Sequence, residues 1–306
     1  MIFNKLQGII VAPFTPMHKD GSINPNLIKE YAVFLKSNKI NGAFINGTTG
    51  EGISMTTDER KKIAEEWVKT ATDDFRIIVH VGGPSLEACK SLAKHAKENG
   101  AYAIALMGPN FFKPATVDVL IEFISEVAEL VPDLPVYYYH MPSMSGVYLS
   151  IPELLTKVSV KIPNFAGVKF THHDLMEFNQ CLMVENGKFN ILHGYDETLL
   201  CGLSLGAEAA IGSTYNYFSP VYHKLLEAFN NGDLEEARKM QQLSVKLVAI
   251  LNKYGGGVIC GKAIMNLIGI NCGRCRLPIR NLSPSEIDQL RIDLEQINFF
   301  KISEYL

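Results

Sequence analysis

Eight short runs of β-branched, aromatic and other apolar residues recur along the first two-thirds of the chain, seven of them followed by a segment of helical period before the next run. The runs are GIIVAPF (8–14), GAFING (42–47), RIIVHVG (76–82), AYAIALM (101–107), VYYYH (136–140), FAGVKF (165–170), FNILHG (189–194) and AAIGST (209–214). Continuous apolar runs imply strands covered on both faces, as parallel strands flanked by helices must be. Between them the spacing predicts helices around 25–39, from Thr56 through Trp67, and around 85–98, 116–131, 151–158, 174–184 and 196–205. Thr56 and Glu59 have the spacing of a capping box at the start of the second helix.

Eight such alternations with short connections fit a closed (β/α)8 TIM barrel, for which about 250 residues is usual. An open doubly wound sheet is the competitor, but it usually has fewer strands. It also normally carries a Gly-rich nucleotide turn after its first strand, and VAPFTPM is not one. Beyond the eighth run the pattern gives helices near 218–229, 233–253, 257–269 and 284–299. One would close the barrel and the rest would form a helical appendage. No linker-like composition separates them, so the expectation is one domain over 1–306, with the barrel at 1–230 and the appendage at 231–306.

Composition narrows the partners. With 29 basic and 32 acidic side chains the net charge is −3, and no clustered Lys and Arg invite a nucleic acid or an anionic membrane. No apolar run is long enough to span a bilayer. The start, MIFNKLQGIIVAPF, lacks a long apolar leader and a cleavage site. Six cysteines in a chain of 306 residues do not resemble a disulfide framework, so a cytoplasmic location is expected. Cys272 and Cys275 have zinc-ligand spacing but no second pair, and no metal site is expected. His172 and His173 read as a solvent-facing loop pair, and Gly255–Gly257 as a turn between helices.

Barrel enzymes place their chemistry at the C-terminal ends of the strands. Here those ends carry Gly47-Thr48-Thr49-Gly50-Glu51, Tyr137-Tyr138-Tyr139-His140, Val168-Lys169-Phe170-Thr171, His193-Gly194-Tyr195-Asp196-Glu197 and Gly212-Ser213-Thr214. Lys169 stands inside an apolar strand. Burial there would lower its pKa and give the neutral amine that Schiff-base chemistry needs; alternatively its stem lies on the strand and the amine snorkels to solvent. Tyr139 could move protons across the mouth or simply pack the core. The 47–51 turn could hold a carboxylate on N–H and O–H donors or be an ordinary strand-to-helix connection. Asp196 and Glu197 could bind substrate or cap a helix.

Together, the Gly47–Glu51 turn, Tyr139 and the Gly167-Val168-Lys169 strand resemble the dihydrodipicolinate synthase/N-acetylneuraminate lyase superfamily over essentially the whole chain. Tyr138-Tyr139-His140-Met141-Pro142, Lys169-Phe170-Thr171 with Asp174-Leu175, Gly194-Tyr195-Asp196-Glu197 and Gly212-Ser213-Thr214-Tyr215-Asn216 resemble its sialic acid aldolase branch, in the animal-type form. The resemblance implies a pyruvate-dependent class I aldolase with Lys169 as the Schiff-base lysine and Tyr139 as the proton shuttle. It also implies that Thr48 and Thr49 hold the substrate carboxylate, and that Thr171, Gly194, Asp196, Glu197 and Ser213 hold the polyol chain. The substrate would be a small sugar acid, N-acetylneuraminate, cleaved to pyruvate and N-acetylmannosamine without metal or organic cofactor, by a homotetramer. The synthases normally carry an arginine five residues after the tyrosine; Met144 stands there and cannot pair with a second carboxylate. The superfamily often presents an interface tyrosine after the fourth strand, where this chain has Phe112. Two other readings stay open: another pyruvate-dependent aldolase of the superfamily, dihydrodipicolinate synthase included, and a catalytically silent barrel that binds a similar ligand.

Overall fold

A computed structural model describes residues 3–303, so the first two residues of the N-terminal segment and the last three of the expected 1–306 domain lie outside the described residues. Eight parallel strands close on themselves in sequence order, β1 (Gly8–Val11), β2 (Gly42–Ile45), β3 (Arg76–His80), β4 (Ala103–Leu106), β5 (Val136–His140), β6 (Phe165–Phe170), β7 (Asn190–His193) and β8 (Ala209–Gly212), with β8 paired to β1. Each strand lies inside its expected run. The first helices are α1 (Ile28–Ser37), α2 (Thr57–Val68), α3 (Leu86–Glu98) and α4 (Val117–Ala128). They are followed by α5 (Pro142–Ser145), α6 (Ile151–Lys161), α7 (Leu175–Met183) and α8 (Leu199–Leu205). The one-turn α5 is not in the sequence reading, because four residues show no helical period. Thr56 and Glu59 form the capping box on α2, with Thr56 N–H to Glu59 Oε2 at 2.9 Å and Glu59 N–H to Thr56 Oγ1 at 3.2 Å.

The strands are buried on both faces, and the pleat sorts their side chains into two cores. Ile10, Phe44, Ile78, Tyr137, Tyr139 and Ile211 fill the barrel, while Val79, Tyr138 and Val168 pack against the helices outside it. The Tyr137–Tyr139 run is thereby divided, with its first and third rings inside.

After β8 the chain forms α9 (Tyr215–Asn230), α10 (Leu234–Lys253), α11 (Gly257–Leu267), α12 (Pro284–Gln296) and α13 (Phe299–Ser303). The α9 helix begins three residues before the expected start and is kinked at Phe218, two residues ahead of Pro220. The kink masks the period of the first turn. Among the described residues no single helix is long and apolar enough to cross a membrane.

This C-terminal part is tied to the barrel by a buried ion pair. Lys262 Nζ on α11 lies 2.6 Å from Glu51 Oε1, the two side chains 2% and 0% exposed. Glu51 Oε2 accepts the Arg276 backbone N–H at 2.7 Å, and Lys262 donates to the Arg274 carbonyl at 2.7 Å. Arg276 forks onto both oxygens of Glu59 at 2.7 and 2.8 Å. Removing one partner of such a pair leaves a charge stranded out of water. Lys262→Met is therefore expected to cost roughly 3–5 kcal/mol in chemical denaturation, and Lys262→Met with Glu51→Gln to recover part of that loss.

Candidate active site

The barrel's register puts Tyr139 directly opposite Lys169 on the neighbouring strand. Both side chains point into the barrel, and Lys169 Nζ lies 4.2 Å from the centre of the Tyr139 ring and 4.3 Å from that of Phe44. Lys169 is only 4% exposed and its amine has no hydrogen-bond partner among the described residues. It does not snorkel. Burial brings the amine down to about 7, against an opposing pull from the Asp196 carboxylate. Near neutral pH a large share of it is the free base, which is the nucleophilic form.

Tyr139 Oη lies 3.3 Å from Thr48 Oγ1 and donates to Met141 Sδ at 2.8 Å. Burial pushes its phenol up to about 12, with Thr48 and Thr171 pulling the other way. It is therefore a neutral hydroxyl in the resting protein. Thr171 Oγ1 is buried and lacks a hydrogen-bond partner among the described residues.

Asp196 does not cap its helical turn, in contrast to one of the two sequence-based expectations. Its carboxylate reaches across to β8, where Oδ2 accepts the Thr214 N–H at 2.7 Å and the Thr214 hydroxyl at 2.6 Å. Burial, the dominant cause, raises its pKa to about 6. Glu197 is raised as well, again by burial. Two glycines make this packing possible. A Cβ on Gly212 would sit 1.5 Å from Asp196 Oδ1, and one on Gly194 would sit 2.0 Å from Thr171 Oγ1 and 2.7 Å from the Phe170 carbonyl oxygen.

Lys169, Tyr139, Thr48, Thr49, Thr171, Gly194, Asp196, Glu197 and Ser213 all line one cavity of about 330 Å³. That is within the range of small-molecule sites. The cavity also takes Val248, Leu251 and Asn252 from α10 and Gly257 and Val258 at the start of α11, none of which the sequence reading assigned to the site. Their only sequence signal was the Gly255–Gly257 turn that brings α11 back over the mouth. Glu51 turns away into its ion pair with Lys262. Met144 is 63% exposed and not part of the lining. The paired histidines lie in a loop as read, with His173 exposed and His172 half-buried, not fully solvent-facing. His172 packs 5.5 Å from the His140 ring, and the exposed His173 stacks on Tyr195 at 4.3 Å. Cys272 and Cys275 are buried free thiols, and among the described residues no group of three or more His, Cys, Asp or Glu could hold a metal ion.

The chain belongs to the dihydrodipicolinate synthetase family, whose model matches residues 5–297. Among its relatives, the N-acetylneuraminate lyase of Homo sapiens is 42% identical over 98% of this chain and 95% of its own length. The solved N-acetylneuraminate lyase of Proteus mirabilis superposes with a TM-score of 0.93 at 40% identity, covering 97% of this chain and all of that one. The dihydrodipicolinate synthase of Aquifex aeolicus gives 0.88 at 27% identity, over 96% and 99% of the two chains.

The lowered lysine makes a prediction about stability. Between about pH 7 and 10.5 the unfolded chain holds a proton on Lys169 that the folded chain has released, so this term makes stability rise with pH across that window. Lys169→Met removes the term. Its stability advantage over the unsubstituted protein is expected to be largest below pH 7 and to shrink by roughly 4 kcal/mol by pH 10.5. Paired denaturation curves across the window measure it.

Proposed function

We propose that the protein is a class I aldolase that cleaves N-acetylneuraminate to pyruvate and N-acetylmannosamine through a Schiff base on Lys169. The observation that carries the reading is a desolvated, unpartnered amine facing Tyr139 across one strand pair, in a cavity with a hydroxyl pair at one side and two carboxylates at the other. The lyases of human and Proteus mirabilis among its relatives supply the substrate class.

In this reading the Lys169 amine attacks the C2 ketone of the open-chain sugar acid, and loss of water leaves an iminium. The C4 hydroxyl gives up its proton, the C3–C4 bond breaks, and its electron pair flows into the iminium to form an enamine. Tyr139, being a neutral phenol, does not take that proton as a free base. It relays it, accepting the C4 proton as it passes its own to the substrate carboxylate, which Thr48 and Thr49 hold. Protonation of the enamine at C3 and hydrolysis then release pyruvate and the lysine. Thr171, Gly194, Asp196, Glu197 and Ser213 bind the polyol, two carboxylates accepting hydrogen bonds from several hydroxyls. No arginine stands at position 144 for a second carboxylate, which favours this reading over dihydrodipicolinate synthesis.

The chain would act as one folding unit, its C-terminal helices joined to the barrel by the Glu51–Lys262 pair. A cytoplasmic homotetramer completes the reading. Phe111 and Phe112, 79% and 87% exposed and packed edge to face after β4, are apolar surface that a neighbouring subunit would cover.

The first experiment is pyruvate release from N-acetylneuraminate by the purified protein. Release is expected, and borohydride in the presence of pyruvate is expected to fix a three-carbon adduct on Lys169. A folded protein that is trapped by pyruvate yet leaves the sugar acid intact would transfer the reading to another pyruvate aldolase; failure of both would favour a silent binder. Lys169→Ala is expected to abolish turnover and trapping. Tyr139→Phe is expected to lower kcat by roughly 10²–10⁴-fold with a smaller change in KM, checked by steady-state kinetics.

A further inference from the structure

Asp196 is held by a closed ring of hydroxyls that leaves its carboxylate, passes through α9 and α10, and returns to the same residue. Thr214 Oγ1 bonds Asp196 Oδ2 at 2.6 Å and lies 2.5 Å from Tyr222 Oη. Tyr222 Oη lies 2.7 Å from Ser244 Oγ. Ser244 Oγ in turn lies 3.4 Å from the backbone carbonyl oxygen of Asp196. Thr214, Tyr222 and Ser244 are all buried, so water cannot mend a break in the ring.

Each hydroxyl owns one hydrogen, and the ring can therefore be ordered in two directions. With Asp196 ionised, Ser244 donates to Tyr222, Tyr222 to Thr214, and Thr214 to the carboxylate. With Asp196 protonated, its own O–H donates to Thr214, Thr214 to Tyr222, Tyr222 to Ser244, and Ser244 to the Asp196 carbonyl. Neither order strands a hydrogen. The carbonyl is what permits the second, since a chain ending on a donor would have nowhere to point. Asp196 lines the cavity, and the Tyr215 phenol of α9 also faces its carboxylate.

We propose that Thr214, Tyr222 and Ser244 are positioning residues that keep Asp196 fixed while letting it meet a substrate hydroxyl either as acceptor or as donor, by reversing the direction of their hydroxyl ring. This deepens the reading of the site given above and rests on it for the substrate hydroxyls.

The groups facing Asp196 leave the choice close. Lys169 from β6 and the two Thr214 bonds favour the ionised form, while burial and Glu197 oppose it. From α9 come Tyr215, Tyr217 and Tyr222, neutral phenols raised chiefly by burial and also by the Asp196 charge. From α10, Ser244 and Gln241 meet only the Asp196 carbonyl, the latter at 3.1 Å. With the carboxyl at about 6, both ring orders are populated near neutral pH.

The direction of a single shift separates this ring from a one-way donor chain. Tyr222→Phe removes one oxygen at nearly constant volume. In the ionised order Thr214 then has an unfilled lone pair; in the protonated order its hydrogen points at a carbon ring. A buried unmade donor is the costlier defect, so the reversible ring predicts that Asp196 becomes more acidic. A chain that only polarises the ionised form predicts the reverse. Ser244→Ala strands the Tyr222 hydrogen in the protonated order and is expected to shift Asp196 the same way.

The test is an infrared titration of the protonated-carboxyl band in the unliganded full-length protein, with Asp196 assigned by its loss in Asp196→Asn. The proton affinity of Asp196 is expected to fall about tenfold in Tyr222→Phe, the worth of one hydrogen bond, and by less in Ser244→Ala. Thermal melting identifies the folded variants, and if Tyr222→Phe does not fold, Ser244→Ala decides. No shift, or a rise, in a folded variant overturns the proposal. Because no substrate is present, the titration reads the ring whether or not N-acetylneuraminate is cleaved, which pyruvate release tests separately.

Discussion

Everything in the mouth of the barrel is organised around a lysine that the fold refuses to solvate. The amine of Lys169 sits against the faces of Phe44 and Tyr139 with no hydrogen-bond partner among the described residues. Ring faces attract the ammonium form, as does the Asp196 charge, yet burial outweighs both and leaves the amine near 7. The parallel register then sets what it meets, because Tyr139 is its partner across the β5–β6 pair. Hydroxyls and carboxylates at the strand ends surround an amine held within a strand.

The C-terminal helices take part in the site alongside the barrel. The Glu51–Lys262 pair fixes the turn that carries Thr48 and Thr49. Gln241 and Ser244 on α10 grip the backbone of Asp196, and Gly257 and Val258 line the cavity beside Ser213. The two sides of the pocket are thus braced from the same direction by α10 and α11. The division into barrel and appendage describes the chain's order more than its mechanics.

The barrel was legible because its strands are short, continuous apolar runs separated by helices with ordinary caps, and Thr56 and Glu59 could be read as a cap from spacing alone. Lys169 was legible as an anomaly, a charge inside such a run, but spacing alone could not tell a buried amine from a snorkelling one. Resemblance to a family, and then the packing of Phe44 against it, made the difference. What stayed hidden are contacts without a local pattern. Glu51 looks like part of a binding turn until Lys262 arrives from far along the chain. Ser244 and Tyr222 lie on helices whose sequence says only that one face is buried. His172 looks like loop surface, because nothing local shows that the His140 ring packs against it.

The separation of 211 residues between Glu51 and Lys262 has a consequence for how the protein comes into being. Closing so long a loop has a large entropic cost, and its contacts form late relative to local helices and neighbouring strands. A nascent chain that has emerged only through β8 holds Lys169 and Tyr139 but not the pair that fixes the Thr48–Thr49 turn, nor the helices that line the rest of the pocket. The reactive amine is thus made early and the surroundings that direct it late. A truncated or stalled chain would carry a nucleophile without the means to select what it attacks.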